Sequence, residues 1–438
     1  MASPTTQSAV EHYVSAFTDF QIDHPAPAWL SAKRRAAMEN FQRLGFPTVR
    51  DEEWKYTDVT PVANLAATPI FRPNLNGSAP HIAAKLPFGE LSGHRLTFVN
   101  GHFAPELSSI GALPAGATVK TMARAFEEDG ELLETYFGRH LNWENETFAA
   151  LNTAFAQDGA LVHLSDGVKL DDSIYLTFIS GGAGETVTHP RNLIILGEGS
   201  AAHIVETYAA ADEGVYFCNT ITEVEAGEGA QLEHIKVQRE GEKAFHIGTL
   251  QLWSAGQVTA SSHCLNFGGR IVRNNSNAIL AAENSEITLN GLVVGRGAQH
   301  VDNHTVMDHA KPHCDSHENY AHVLDDHSVG VFNGKIFVRE DAQKTDAKQS
   351  NRTLLLSRDA QIDAKPQLEI FADDVKCTHG ATIGQLDEEA LFYLRARGVP
   401  ERTARNILIR AFAAEVFETI SQDDLREALE GELSARLG

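Results

Sequence analysis

The chain has 438 residues, 42% of them hydrophobic and 22% charged, which describes a folded protein long enough for roughly two or three domains and a sizeable core. Lys and Arg total 36 against 59 Asp and Glu, and the resulting net charge of -23 repels phosphate backbones and anionic lipid, arguing against nucleic-acid and membrane partners. Four widely separated cysteines (Cys218, Cys264, Cys314, Cys377) form no C-x-x-C pair, excluding a disulfide framework and a self-contained four-thiolate cage.

Residues Met1 to Phe20 lack the basic and apolar blocks of a signal peptide, and no apolar run nears the roughly 18 residues of a membrane span, so a cytoplasmic location is expected. Val10, Tyr13, Val14 and Phe17 recur at helical spacing, Pro25 and Pro27 break that helix, and a second is predicted over Ala28 to Leu44. The charged and aromatic run Arg50-Asp51-Glu52-Glu53-Trp54-Lys55-Tyr56-Thr57 follows; by composition it reads as a surface segment whose rings plug a core edge. An irregular connection is expected from Ala63 to Leu91, a hairpin at Asn100-Gly101, and helical spacing over 119 to 157.

From about 160 to 375 short alternating runs recur, such as Ile174, Leu176 and Phe178, and Ile287 and Leu289, each bounded by small or acidic turn residues. The turns Asp166-Gly167, Glu198-Gly199, Glu228-Gly229, Ala255-Gly256, Glu283-Asn284, Asp325-Asp326 and Arg358-Asp359 fall about 30 residues apart, with one gap of 42. A second repeat is led by Gly269, Gly291 and Gly334, whose spacings of 22 and 43 read as one and two steps of a common period. Strand-and-turn units at such a period stack, because no single rung buries its own inner face; a parallel β-solenoid is therefore expected, with the flanking helices as candidate caps for its ends. The expected division is a helical domain with a small hairpin over 1–155, a parallel β-helix core over 156–380, and a helical domain over 381–438.

After Gly384 a helix is predicted from Leu386 to Arg397 and another from Glu401 to Ile420, with Gly398 and Pro400 between them. The second helix has one apolar stripe of Ala404, Ile407, Leu408, Ala411 and Phe412, and another of Ile409, Ala413, Val416 and Ile420. A helix apolar on two faces is either sunk in its own domain or docked on something else; with only about 50 residues here to wrap it, docking on a partner is expected, through Ala404, Ile407, Leu408, Ala411, Phe412 and Val416. Ser421-x-x-Asp424 reads as the cap of a last helix to Leu437.

His300, His304, His309, His313, His317, His322 and His327 crowd one stretch, interleaved with Asp302, Asp308, Cys314 and Asp315. Imidazole and thiolate suit iron or zinc, but the spacing fits no ligand motif, and on successive rungs such histidines can hydrogen-bond along a ladder or line turns. Cys377-Thr378-His379 closes the last strand and supplies at most part of a coordination sphere, informative only if a second subunit completes it. No G-x-x-x-x-G-K-[ST] loop occurs, so no ATP site is expected; Gly181-Gly182-Ala183-Gly184 reads as a flexible turn, no G-x-S-x-G elbow exists, and no complete active site is visible.

The run Pro366-Gln367-Leu368-Glu369-Ile370-Phe371-Ala372-Asp373-Asp374-Val375-Lys376-Cys377-Thr378-His379-Gly380-Ala381-Thr382-Ile383-Gly384, followed by Leu391-Phe392-Tyr393-Leu394-Arg395-Ala396-Arg397-Gly398, resembles the SufB/SufD family of iron–sulfur cluster assembly proteins, its SufD branch in particular. Glu53-Trp54-Lys55-Tyr56-Thr57, His300-Val301-Asp302-Asn303-His304-Thr305, Asn333-Gly334-Lys335-Ile336 and Lys344-Thr345-Asp346 extend the resemblance over most of the chain, the first 45 residues least. It implies a right-handed parallel β-helix between helical domains, and a scaffold role with SufB and the SufC ATPase in building nascent clusters. It further implies that SufC docks on the C-terminal helices, and that iron or a transient cluster is shared with SufB at His379, with Cys377 a weaker candidate. SufB would supply the essential thiolate, and the isolated chain could pair with itself through the end of the coil. Rival readings are a polysaccharide-active β-helix enzyme, which normally needs a secretion signal and a groove of clustered acids, and a stand-alone histidine-rich metal-binding protein.

Overall fold

The computed structural model describes residues 4–65, 67–71, 82, 86–182 and 184–437. Residues 66, 72–81 and 83–85 of the irregular connection expected at 63–91 lie outside these residues, as do Met1 to Ser3 and Ala183 of the glycine-rich turn. The chain is mainly β, with a β-solenoid of about eight turns and helices before and after it. Each turn contributes one strand to each of two parallel sheets. Tyr216–Ala226, Phe245–Ser254, Ile271–Leu280, His300–His309, Val329–Val338 and Gln361–Ile370 follow one another in the first sheet, and Ala201–Ala210, Gln231–Arg239, Thr259–Asn266, Glu286–Gly295, Asp315–Leu324, Asp346–Leu355 and Lys376–Gly384 in the second. Ile271 faces His300 and His300 faces Val329, a step of 29 residues.

That step corrects one expectation and explains another. Gly291 lies within a second-sheet strand, Gly334 within a first-sheet strand and Gly269 at a corner, so the 22-residue repeat is not the rung. The two strand glycines serve close approach instead: a Cβ on Gly291 would stand 2.2 Å from the Tyr320 ring, and one on Gly334 would stand 2.3 Å from Gln349 Nε2. The turn series does mark corners. Its 42-residue gap is where it passes from the corner after first-sheet strands, at Glu283-Asn284, to the opposite corner after second-sheet strands, at Asp325-Asp326.

Inside the coil, side chains stack by rung. Phe98, Phe178 and Tyr208 form one such column, with ring centroids 4.9 and 5.0 Å apart. They join Leu176, Ile204, Leu289, Met307 and Ile336 in the inner core. Outside, both sheets are also covered, which is why strands such as Ile174–Ser180 are buried at every position and show weak alternation. Tyr13, Phe17 and Phe20 of the helix Pro4–Asp23, Phe41 of Ala28–Leu44, and Phe148 and Phe155 of Thr147–Phe155 pack on Phe217, Phe245 and Ile247 of the first sheet. Ala413, Val416, Phe417, Ile420, Leu425, Leu429 and Leu433 pack on Val205, Ile235, Val237, Leu265 and Leu292 of the second. The helices therefore cover the flanks of the coil and not its ends, because the broad outer faces carry the apolar area.

The two ends differ. At the first, His94–Val99 turns back through Asn100 and Gly101, both at positive φ, into His102–Phe103, the hairpin expected there, and Ala117–Thr121 runs antiparallel to Ala160–Leu164. At the last, Gln361–Ile370 and Lys376–Gly384 are half-buried to exposed along their length. Lys376 N–H donates to Thr345 O, so alternation directs the N–H and C=O groups of Cys377, His379, Ala381 and Ile383 out along an open edge. In the first sheet Gln361 N–H bonds Ser328 O, which puts Pro366 at an outward position, where its missing donor costs the sheet nothing.

Candidate functional site at the open end of the coil

Cys377 packs on the inner core, and His379, two residues on, points to the same side. His379 pairs in register with Gln349, and Gln349 with Glu318, so the three form one inward row that ends exposed at the rim. Gln349 Nε2 donates to Glu318 Oε2 at 2.6 Å, and Thr305 Oγ1 donates to the same oxygen at 3.0 Å. Glu318 Oε1 and Gln349 Oε1 have no hydrogen-bond partner, nor have His322 Nε2 and Asn351 Nδ2. The interior beneath the rim is thus polar and incompletely satisfied, an environment suited to water or to a ligand entering from the open end.

Burial pushes the Glu318 carboxyl up to about 7, against the opposing hydrogen bonds from Gln349 and Thr305. A carboxyl raised on folding binds more protons folded than unfolded between its ordinary value and about 7, so its contribution falls as pH rises through that window. Glu318→Gln keeps an acceptor for both donors and removes the charge. We expect it to stabilise the chain at pH 8 by about 2–3 kcal/mol and to be near neutral at pH 4.5, read by urea denaturation at the two pH values.

Two sequence motifs meet on the outer face of the first sheet. Arg273 Nη1 bonds Asp302 Oδ2 at 2.7 Å and donates to Glu53 O at 2.8 Å, with its guanidinium 4.4 Å from the Trp54 ring. Thr57 Oγ1 donates to Asp302 Oδ2 at 2.5 Å and therefore accepts from His300 Nε2 at 2.9 Å. His304 spans Asp302 Oδ1 at 3.1 Å and Glu53 Oε2 at 3.4 Å. Burial would raise the Asp302 carboxyl, but Arg273 and His304 outweigh it and hold it well below the usual carboxylate range. This is a clasp that ties the N-terminal segment to the coil, and Lys365 extends it to the last rung by pairing with Glu52. A cleft of about 650 Å³ opens beside the clasp, lined by Trp54, Arg273, His304 and Lys335, and does not reach His379 or Cys377.

The crowded histidines do not converge. His300 and His304 belong to the clasp, while His309 bonds Ser316 Oγ at 2.8 Å and His322 bonds Asn351 Oδ1 at 3.0 Å inside the coil. His313 sits in a turn at positive φ, His317 is half-buried on a second-sheet strand, and His327 is exposed beside Asp359. Rung-to-rung hydrogen bonding and turn lining account for their placement, and the stand-alone histidine-rich site is not assembled.

The SUF system FeS cluster assembly SufBD core domain matches residues 178–412, and the SufBD protein N-terminal region matches 7–176. The chain belongs to the SufBD family. It is 32% identical over 410 residues to the iron-sulfur cluster assembly protein SufD of Escherichia coli, covering 93% of each chain. It is 33% identical over 413 residues to an iron-sulfur cluster assembly SufBD family protein of Synechocystis, covering 92% of this chain and 90% of that one, and 28% identical over 410 residues to the chloroplastic protein ABCI7 of Arabidopsis thaliana, covering 90% and 83%.

In this SufBD chain the helix Glu401–Phe417 uses its two stripes differently. Ile409, Ala413 and Val416 are buried towards the second sheet, and Phe412 lies partly buried beside Ile409 and Leu354. Of the six residues expected to meet a partner, Ala404 and Val416 are buried within the chain; Leu408 and Phe412 are half-buried, and only Ile407 and Ala411 are exposed. The reason is that the coil itself supplies the apolar surface that a 50-residue helical domain lacks. The large exposed apolar side chains of the C-terminal helices are Phe392, Tyr393 and Ile407. Ser421 does not cap the last helix, Asp423–Leu437: its N–H and hydroxyl both donate to the Glu233 carboxylate, at 2.8 and 2.6 Å, pinning the helical domain to the coil.

Sequence reasoning missed Glu318 and Gln349. The signal was present, since 318, 349 and 379 are separated by 31 and 30 residues, the rung step that aligns them with His379.

Proposed function

We propose that this chain is a non-catalytic scaffold of the SUF machinery, working with SufB and the SufC ATPase in the cytoplasm to build nascent iron–sulfur clusters. The observation that carries the reading is the bare last rung, where His379 ends an inward polar row beside an unpaired backbone edge. A second β-solenoid continuing that edge would bring its own ligands to His379, and to Cys377 as the weaker donor. Iron or the forming cluster is cargo shared across this seam, the partner supplying the essential thiolate. Burial pushes the Cys377 thiol above its ordinary value, so alone it is a poor thiolate, which agrees with a subordinate role. The isolated chain pairs with a second copy through the same edge when SufB is absent. SufC docks on the outer side of the C-terminal helices, at Ile407 with Phe392 and Tyr393, and motion of those helices reaches the coil through Val416, Phe417 and Ser421.

The test is His379→Ala in the reconstituted complex with SufB and SufC. Cluster yield should fall at least tenfold while the complex still assembles; an unchanged yield removes His379 from the site. Ile407→Asp, on an exposed position, should weaken SufC binding without unfolding the chain.

A further inference from the structure

A second group of ligand-type side chains lies deep in the coil, away from the rim and beside the Tyr208 end of the aromatic column, whose ring lies edge-on to His246 at 4.8 Å. Cys218 and His246 face each other in register on adjacent first-sheet strands, and Cys218 belongs to the inner core. Glu240 enters from the corner just after Gln231–Arg239, beneath the exposed Glu242 and Lys243. One donor atom from each of Cys218, Glu240 and His246 lies within 4.8 Å of the others, and all three residues are buried. Counting strands from Tyr216–Ala226 to Gln361–Ile370 gives five steps, about 24 Å from the open end.

One member of the group, His246, is unsatisfied as it stands. His246 is fully buried, yet neither ring nitrogen has a hydrogen-bond partner. Glu240 Oε2 is only 2.7 Å from His246 Nδ1, but in a direction that makes no hydrogen bond. Gln238 orients the carboxylate, donating to Oε2 at 3.0 Å while its own oxygen accepts from Gly268 N–H at 3.1 Å. Such support of a ligand from behind is what metal sites use. The neighbouring Lys236 and Glu206 carry opposite charges and offset one another, so a thiolate and the Glu240 carboxylate would leave the group doubly negative.

We infer that Cys218, Glu240 and His246 bind one divalent transition-metal ion of borderline softness, zinc being the best-fitting probe, with a fourth position open. Sulfur, nitrogen and oxygen donors at about 2.3, 2.0 and 2.1 Å stand roughly 3.3–3.6 Å from one another around a tetrahedral ion, so the three side chains need shift by no more than about 1 Å. Binding displaces the thiol proton, and affinity should rise about tenfold per pH unit below the thiol's range. The assignment is independent of the proposed role of His379.

The test uses the full chain prepared in two ways, from zinc-supplemented cells and by refolding with Co²⁺. About one metal per chain is expected, with a cobalt–thiolate charge-transfer band that Cys218→Ser abolishes and that the double variant Cys377→Ser with His379→Ala retains. His246→Ala should lower affinity at least tenfold. Zinc X-ray absorption on the wild-type chain, which needs no variant to fold, should report one sulfur neighbour with nitrogen and oxygen. Metal content near zero in both preparations overturns the assignment, as does a sulfur-free shell. So does a band that survives Cys218→Ser or is lost only in the Cys377 and His379 double variant.

Discussion

Arg191→Ala is expected to cost about 3–5 kcal/mol of stability, because it leaves a buried carboxylate without its partner. The Arg191 guanidinium is fully buried; Nη2 lies 2.5 Å from Glu223 Oε1 and Nε 3.1 Å from it. Nη1 donates to Asn152 Oδ1 at 3.1 Å and Thr153 Oγ1 at 3.2 Å, both in the helix Thr147–Phe155, and the Phe137 ring lies 4.4 Å away. One side chain thus joins the first sheet to the N-terminal helices, and alanine strips donors from three groups at once. Urea denaturation of the two proteins measures the difference. Arg191→Met with Glu223→Met should recover much of the loss, since the pair is then replaced by apolar volume. A loss below about 1 kcal/mol would mean that water reaches Glu223 and solvates it.

Ala381→Pro should weaken the proposed pairing through the last rung at least tenfold while leaving the fold intact. The N–H of Ala381 points out along the open edge, so proline removes a donor that the chain's own ladder does not use. Gly380 precedes it and tolerates the restriction that proline places on its neighbour. A lost backbone bond with ring crowding amounts to about 2 kcal/mol or more across the seam, which exceeds a tenfold change in dissociation constant. Thr378→Pro is the counterpart: its N–H lies on the inner side of the ladder, so it should loosen the last rung itself. Sedimentation of the isolated chain, and capture by SufB, would read both. Unaltered association in Ala381→Pro would place the seam elsewhere.

The solenoid was legible because corners demand particular residues. Asp166-Gly167, Glu198-Gly199 and Glu228-Gly229 put glycine at positive φ at the same corner of successive turns, and that periodicity survives without any long-range information. The glycine-led repeat misled because Gly291 and Gly334 are small for a different reason, the approach of Tyr320 and Gln349 inside the coil. The partner stripe on Glu401–Phe417 was half legible: helical spacing identifies two apolar faces, but only the folded coil decides that Ile409, Ala413 and Val416 belong to it. His379 and Cys377 stood out through resemblance, since nothing in a thiol and an imidazole two residues apart reveals that the rung above them is missing. Cys218, Glu240 and His246 are scattered over three chain segments, and only the register brings them together.

The contrast between the two ends of the coil has a consequence for assembly size. An unpaired strand edge normally threatens endless addition of chains, but growth needs both a donor end and an acceptor end on each molecule. Here the first end finishes on short antiparallel strands, His102–Phe103 and Ala117–Thr121, while the last finishes on full-length parallel strands, so the two edges of the coil do not match each other. If chains pair through the last edge as proposed, that mismatch favours a closed twosome of like edges over a filament, which would have to join a long parallel edge to a short antiparallel one.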